Sequence, residues 1–156
     1  MKITWGQFTR PPGGPVHCEF QSPWFKAVTP EGLLVLNAPL PKANALRKLQ
    51  ALGYRPTFKK LPPIKRALAH GTAFQIKVWR ACQKIPRGQT STYGQLAQKI
   101  KCLSAQAIGH ALGANLLAQI IPCHRVVSAT GLGGFAWGTR LKRQWLQQEH
   151  VVLGRT

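Results

Sequence analysis

The sequence of 156 residues contains no aspartate and only three glutamates, Glu19, Glu31 and Glu149, against 22 lysines and arginines. The formal net charge is therefore +19, and the two halves of the chain share it almost equally. A folded chain this basic repels itself, so we expect a polyanionic partner. Nucleic acid is the first candidate and an anionic membrane surface the second, and a merely solvated basic surface is the remaining alternative.

Long apolar runs are also absent. The longest, such as Gly32–Leu36, are far too short to span a bilayer. The first residues, Met1–Gln7, do not form the apolar stretch of a signal peptide. The hydrophobic fraction of 44% and the charged fraction of 16% are typical of a globular chain. We therefore expect a cytoplasmic protein that does not associate with membranes and has one domain, or two small ones packed together.

The four cysteines lack the spacing of a metal site. None forms a C-x-x-C pair, so a structural zinc site has no support, and we predict no metal ligand. In a cytoplasmic chain the thiols are expected to be reduced. Cys18, Cys82 and Cys102 are interpreted as small buried hydrophobic residues. Cys123 differs because of its neighbours.

The first part of the chain reads as short strands followed by a helix. Aromatic and branched residues predict three strands between turn-forming segments, and a leucine stripe ending at Gly53 predicts a helix. The turn-forming segments are residues 11–15 and 30–32. The strands are Lys2–Phe8, Trp24–Thr29 and Gly32–Asn37, the helix is Lys42–Leu52, and a proline-containing basic connector follows at Arg55–Arg66. We place the domain boundary here, giving domains 1–68 and 69–156.

The second part is predicted to be mostly helical. Thr72 and Gln75 have the spacing of a capping box, and Thr92 and Ser104 are candidate caps of two further short helices. Two short helices joined by a tight turn suggest a helix-turn-helix. The first helix carries Phe74, Val78, Cys82 and Ile85 at helical spacing, and the last runs from about Thr139 to Glu149 with Leu141 and Trp145 on its buried stripe. The fold class is therefore α/β (α+β).

The helix after Ser104 is unusually rich in small residues. They are Ala105, Ala107, Gly109, Ala111, Gly113 and Ala114. Glycine inside a helix costs about 1 kcal/mol relative to alanine. Small side chains let another surface approach the backbone. That surface is either a nucleic-acid groove or a neighbouring helix, and the residues alone favour neither.

The segment Ile120–Val127 carries the clearest chemistry. A thiol at Cys123 beside the imidazole of His124, in an apolar strand-like run, suggests an activated nucleophile. In an extended segment the two side chains would point to opposite faces, so a bridging water or a bend at Pro122 would have to connect them. Glu149 is the only carboxylate residue of this half and thus the available group to orient His124, although a surface position on its helix is the alternative reading.

Residues 71–149 resemble the O6-alkylguanine-DNA alkyltransferases, also called methylated-DNA–protein-cysteine methyltransferases. The most specific segment is Pro122-Cys123-His124-Arg125-Val126. The other matching residues are Gly71–Gln75, Val78-Trp79, Ile85–Gly88, Ser91–Tyr93, Asn115, Gly133–Phe135, Lys142, Leu146 and Glu149. Residues 1–70 are similar to the family's variable N-terminal α/β domain only in length and layout. The resemblance implies a small N-terminal sheet-containing domain and a C-terminal winged-helix-like helix-turn-helix domain that carries the active-site cysteine.

The resemblance also implies a function. The protein would bind double-stranded DNA in the minor groove and flip out O6-alkylguanine, mainly O6-methylguanine. It would then transfer the alkyl group irreversibly to its own Cys123. Such a methylated-DNA–[protein]-cysteine S-methyltransferase acts once, without a cofactor, and we expect it to be a monomer.

The family's functional residues carry over position by position. The catalytic set is Cys123 as nucleophile, His124 as its base through water, Glu149 orienting His124, Tyr93 assisting flipping and guanine protonation, and Asn115 positioning Cys123. The set that contacts the base is Val126, Phe135, Ala136 and Lys142. The set that contacts DNA is Thr92, Gln106, Ala107, His110 and Arg125.

Several positions depart from the family pattern. Gln106 stands where an arginine usually fills the gap left by the flipped base, and His110 stands where a small residue is frequent. The turn Lys101–Leu103 lacks the frequent glycine or proline. Trp137 replaces a usual glycine beside the pocket, and we expect it to narrow the pocket and favour methyl over bulky adducts.

Three other functions remain open at this point. One is a non-catalytic alkyltransferase-like lesion binder, a class that lacks the acceptor cysteine. Another is a basic DNA-binding regulatory module with a structural Cys123. The third is a cysteine hydrolase, for which no oxyanion site is signalled.

Overall fold

The computed structural model describes residues 1–7 and 13–151. Contacts divide the chain into two compact units, Met1–Ile76 with Leu116–Ala118, and Lys77–Asn115 with Gln119–Thr156. Among the described residues, no helix combines the length and the apolar character needed to cross a bilayer.

The first unit is built on a six-stranded mixed sheet. Its strands are β1 (Ile3–Gly6), β2 (Gly14–Gln21), β3 (Trp24–Val28), β4 (Leu33–Ala38), β5 (Tyr54–Thr57) and β6 (Arg66–His70), in the order β1-β6-β4-β3-β2-β5. The consecutive strands β2, β3 and β4 pair antiparallel, whereas β6 pairs parallel with β1 and β4, and β5 pairs parallel with β2. Helix α1 (Lys42–Ala51) joins β4 to β5.

Alternating side chains of the strands form the core of this unit. Val16 and Cys18 of β2 and Phe25 and Ala27 of β3 are buried, as is Leu49 of α1. The period of two places these strand residues on one face of the sheet, and the helix buries its own apolar stripe. At the end of α1, Gly53 has a φ of 82° and its N–H donates to the carbonyl of Gln50. The predicted glycine stop is therefore confirmed.

The three strands predicted in this half are present, but the prediction did not include every strand of the sheet. The predicted strands correspond to β1, β3 and β4, and α1 matches its predicted helix within one residue. Phe8, the last residue of the first predicted strand, and Pro11-Pro12, in the predicted turn, lie outside the described residues. The prediction missed β2, β5 and β6, and the connector predicted at Arg55–Arg66 overlaps β5 and the start of β6. The boundary predicted after residue 68 falls inside β6, whereas the contact division keeps this strand in the first unit.

A proline made strand β5 difficult to predict. Pro56 cannot donate a ladder hydrogen bond, which argued against a strand at this position. β5 is, however, an edge strand with a single neighbour, β2. At an edge the missing N–H has no partner to lose, so the strand tolerates this proline.

The second unit is mainly helical. Its elements are α2 (Ala73–Gln83, which begins in the first unit), β7 (Ser91–Thr92), α3 (Tyr93–Lys99), α4 (Ala105–Gly113), a 3₁₀ helix (Cys123–Arg125), β8 (Val126–Val127) and α5 (Thr139–Gln148). β7 and β8 form a short parallel pair. Helices α3 and α4, joined by a tight turn at residues 100–104, form the predicted helix-turn-helix.

The predicted helix caps are confirmed. The Thr72 hydroxyl accepts from Gln75 N–H at 3.1 Å while Gln75 Oε1 accepts from Thr72 N–H at 3.0 Å, and Thr92 makes the same reciprocal pair with Gln95. Ser104 Oγ accepts from Ala107 N–H at 3.1 Å at the start of α4. Each cap contributes about 1 kcal/mol, so short helices such as α3 begin at defined residues.

Three local features differ from what the sequence pattern alone indicates. Phe74, which shares the helical spacing of Val78 and Cys82, is exposed, whereas these two residues are buried. The segment Ile120–Val127 is not one extended strand, because Cys123–Arg125 forms a 3₁₀ turn that begins after Pro122. On α5, Lys142 is buried together with Trp145, while the predicted Leu141 is only partly covered.

Candidate active site

The thiol of Cys123 is held by the side chain of Asn115. The Asn115 amide donates to Cys123 Sγ at 3.3 Å and to the carbonyl of Ile121 at 3.1 Å. Asn115 is 2% exposed and follows the end of α4 directly. One amide therefore connects the helix end to the turn that carries the nucleophile, as the sequence analysis expected for this residue.

Burial sets the protonation of this thiol. It raises the pKa of Cys123 to about 11, and the Asn115 hydrogen bond and the charge of Lys142 oppose this rise only in part. At neutral pH the free protein thus holds a neutral thiol, which is a poor nucleophile. Attack at Cys123 requires a base that takes the proton as the reaction proceeds.

His124 lies in the same turn and is paired with Glu149. Its Nε2 lies 3.0 Å from Glu149 Oε2, and the ring is 1% exposed. Burial lowers the pKa of His124 despite the neighbouring carboxylate, so the ring is neutral at pH 7 and able to accept a proton. Its Nδ1 is buried and has no hydrogen-bond partner in the described part of the chain.

Glu149 is not a surface residue. Its two oxygens accept hydrogen bonds from the Arg125 guanidinium, Nε to Oε1 at 2.9 Å and Nη2 to Oε2 at 2.8 Å. Burial would raise the pKa of Glu149, but the hydrogen bonds from Arg125 and His124 outweigh it and hold that pKa at about 2. The carboxylate stays ionised and can stabilise a charged His124.

Arg125, predicted to contact DNA, is held within the protein in this structure. Besides holding Glu149, its guanidinium donates through Nη1 to the carbonyl of Ile85 at 2.9 Å, and the side chain is only 14% exposed. All three guanidinium nitrogens are therefore engaged within the protein. Its position beside His124 in the same turn is the signal that could have assigned it to Glu149.

Cys123 opens into a pocket of about 540 Å³. Helix α4 supplies Gln106 and His110, and the loop after β8 supplies Phe135 and Ala136. Tyr93 also lines it, so six of the predicted site residues meet around one cavity. The eight predicted residues that do not line it are Thr92, Ala107, Asn115, His124, Arg125, Val126, Lys142 and Glu149.

The small residues of α4 divide between an open face and a packed face. Ala105, Gly109 and Gly113, four residues apart, line the pocket. Ala111 is buried instead, and its carbonyl accepts from Trp79 Nε1 of α2 at 2.8 Å. One face of the helix is thus open and another packs within the unit.

Tyr93 and Lys142 converge on one carbonyl. The Tyr93 hydroxyl donates to Gly134 O at 3.2 Å and Lys142 Nζ donates to the same oxygen at 2.9 Å. Lys142 is fully buried, and this burial lowers its pKa to about 8. Gly133 has a φ of +76°, and a Cβ there would lie 2.9 Å from the Tyr93 ring. A glycine is therefore required for the loop to approach Tyr93.

Trp137 does not narrow the pocket. It is absent from the lining and packs edge-on against Phe135, with ring centroids 5.2 Å apart. Phe135 in turn packs against Trp145 at 5.5 Å, and Trp145 against His124 at 5.4 Å. Trp137 thus contacts the pocket residue Phe135 without lining the pocket itself, and the preference for methyl adducts stays a prediction that a narrowed pocket does not support.

Comparisons with known proteins agree on one family. The model of the family described as 6-O-methylguanine DNA methyltransferase, DNA binding domain, matches residues 73–151. A methylated-DNA–protein-cysteine methyltransferase of Candida glabrata is 46% identical over 83 residues, covering 52% of this chain and 40% of that protein. The bifunctional transcriptional activator/DNA repair enzyme Ada of Escherichia coli is 51% identical over 81 residues, covering 51% of this chain and 23% of that protein.

A solved structure extends the likeness to both units. The crystal structure of Mycobacterium tuberculosis OGT in complex with DNA has a TM-score of 0.65 at 27% identity, covering 87% of this chain and 93% of that chain. The chain spans less than half the length of the two curated relatives above. The family model covers about half of the chain and contains every residue of the candidate site. The chain therefore belongs to the family described as the 6-O-methylguanine DNA methyltransferase DNA-binding domain.

Proposed function

We propose that this protein repairs DNA by moving the alkyl group of O6-alkylguanine, mainly O6-methylguanine, irreversibly to Cys123. One observation carries the proposal. The thiol of Cys123 opens into a pocket, and the adjoining residue His124 is a neutral imidazole backed by an ionised Glu149. This arrangement supplies a nucleophile, a base and a counter-charge beside a space for a base.

The reaction is a single displacement in which atoms balance. Cys123 Sγ forms a bond to the alkyl carbon while the bond from that carbon to O6 breaks. The thiol proton passes through a water molecule to His124 Nδ1, and Glu149 stabilises the cation that forms on the ring. The departing guanine takes a proton from the hydroxyl of Tyr93, and the proton held by His124 is released to solvent, from which Tyr93 is reprotonated. Since a thioether is not hydrolysed, each chain acts once and needs no cofactor.

The partner is double-stranded DNA. We assign its minor groove to α4, whose residues Ala105, Gly109 and Gly113 leave the backbone accessible beside the pocket. Gln106 lies on the same wall and can fill the gap left by the flipped base. Thr92, Ala107 and His110 remain proposed DNA contacts, and Val126 and Lys142 remain proposed to support the flipped base. We further propose a cytoplasmic, DNA-associated monomer.

The stoichiometry of transfer tests this proposal. With a duplex carrying one radiolabelled O6-methylguanine in excess, we expect the label on the protein to rise to one methyl group per chain and then stop. Transfer that continues past one equivalent would contradict an irreversible thioether. Tight binding of the same duplex without any transfer would identify a non-catalytic lesion binder instead.

The pH dependence of transfer follows from the lowered pKa values of His124 and Glu149. His124 has a lowered pKa and is neutral at pH 7, so we expect a constant single-turnover rate from pH 8 down to about 6.5, the ordinary imidazole pKa, and a fall below it. Glu149, with its pKa at about 2, does not contribute to this fall. The rate is measured at saturating DNA at each pH. A tenfold fall per pH unit throughout would show that the rate follows the free thiolate of Cys123 and that His124 is not the base.

A further inference from the structure

A second concave surface of the helical unit is lined by cations. This cleft of about 240 Å³ is formed by Lys77 and Arg80 of α2, by Lys84 just after its end, and by Lys99 at the end of α3, with Ala81 and Ile100 between them. None of these residues lines the pocket of Cys123. We refer to it as the basic cleft.

The cations of α2 lie on a different face from the one that meets α4. Residues 77, 80 and 84 follow helical spacing, and all three side chains are exposed. Trp79 is buried and points to α4, where its indole donates to the carbonyl of Ala111. At about 100° per residue, Lys77 and Lys84 lie roughly 140–160° around the helix from Trp79. A duplex held by α4 therefore does not reach them directly.

The three lysines of the basic cleft, Lys77, Lys84 and Lys99, have no acidic side chain beside them in its lining. Glu149 is the only acidic residue in this part of the sequence, and it is bound by His124 and Arg125. Like charges one helical turn apart repel each other, so an external anion would stabilise this surface.

We propose that the basic cleft binds the phosphate backbone of a second DNA segment, distinct from the one held by α4. Residues 77 to 84 span about 10.5 Å of helix axis, at 1.5 Å per residue. One DNA strand advances about 3.4 Å per phosphate, so this stretch matches about three phosphate steps. The inference rests on the proposed function in taking DNA as the partner. Binding two segments would let the protein move between them while it searches for a lesion.

Capture of a second duplex tests the proposal. Wild-type protein is bound to an immobilised duplex that contains O6-methylguanine, and retention of a labelled undamaged duplex is measured. We expect the double variant Lys77→Gln/Lys84→Gln to retain the labelled duplex about tenfold more weakly. The slope of log K against log salt should also become shallower by about 1.8, because each lost phosphate contact contributes about 0.9. Lys77→Arg/Lys84→Arg keeps the charge and should behave as wild type. Lys59→Gln/Lys60→Gln removes two exposed charges of the other unit and should retain capture.

Each outcome of this experiment either supports or overturns the proposed second DNA site. Capture that is absent in the wild type, or equal in Lys77→Gln/Lys84→Gln, overturns the proposal. An equal loss in Lys59→Gln/Lys60→Gln also overturns it, because the effect would then reflect total charge. If the basic cleft retains polyglutamate but not the labelled duplex, its partner is an acidic protein and the proposal is overturned. Methyl transfer to Cys123 is measured in the same samples and should be equal in all variants, so a failure of the proposed repair function would be seen separately.

Discussion

Replacement of Cys123 by alanine is expected to abolish alkyl transfer completely while leaving the affinity for a lesion duplex unchanged. The sulfur is the only group that we propose forms a bond to the alkyl carbon. The residues assigned to DNA lie on α4 and, for Thr92, at the start of α3, and they do not depend on the thiol. Binding is followed by fluorescence anisotropy and transfer by the label that remains on the protein.

A second cysteine provides the matched control. Cys82 is also fully buried in the helical unit, and burial raises its pKa well above the ordinary value. Cys82→Ala should transfer one methyl group per chain, as the wild type does. Residual transfer by Cys123→Ala would show that another group is the acceptor, and loss of transfer in both variants would point to a shared effect on folding.

Replacement of Glu149 by alanine is expected to slow transfer by about 10² or more and to lower the free energy of unfolding by about 3 kcal/mol. The substitution removes the acceptor of His124 Nε2 and leaves the Arg125 guanidinium without its counter-charge. His124 then loses both its orientation and the stabilisation of its protonated form. Single-turnover kinetics and urea unfolding measure the two effects, and Gln148→Ala, at the exposed neighbouring position, should change neither.

The contribution of Glu149 to stability has a defined pH window. Its pKa is lowered from 4.5 to about 2 in the folded protein, so the unfolded chain takes up the proton first as the pH falls. The stability it provides is present above pH 4.5 and is lost progressively down to about pH 2. The difference in unfolding free energy between wild type and Glu149→Gln should therefore shrink across this window. A difference that does not change with pH would contradict the assigned ion pair.

The sequence predicts the helical unit better than the sheet. Caps at Thr72, Thr92 and Ser104 are local signals, because each side chain bonds to the backbone three residues away. Strand β5, in contrast, forms by pairing with β2 about forty residues earlier in the chain. Its four residues, including Pro56, carry no signal of that partner, and long-range pairing is not readable from a short segment.

In the candidate site, too, the spacing of residues along the sequence does not show which partners surround a side chain in the fold. Lys142, Trp145, Leu146 and Glu149 follow the spacing of a buried helical stripe, but the charges at its ends argued for a solvated face. The structure buries both ends, Lys142 on the carbonyl of Gly134 and Glu149 between His124 and Arg125. A buried charge is stable only with partners, and those partners are distant in sequence. The family resemblance alone brought Lys142 into the prediction, whereas Glu149 was predicted because it is the only glutamate or aspartate in this half of the chain.

Mapping of the alkyl group is the most direct test of the account. After incubation with a duplex that contains one O6-methylguanine, intact mass spectrometry of the wild-type protein should show the gain of one methylene unit. Peptide mapping should place it on Cys123 and leave Cys82 unmodified. An unchanged mass in a protein that binds the duplex, or a methyl group on another residue, would contradict the claim that Cys123 is the acceptor.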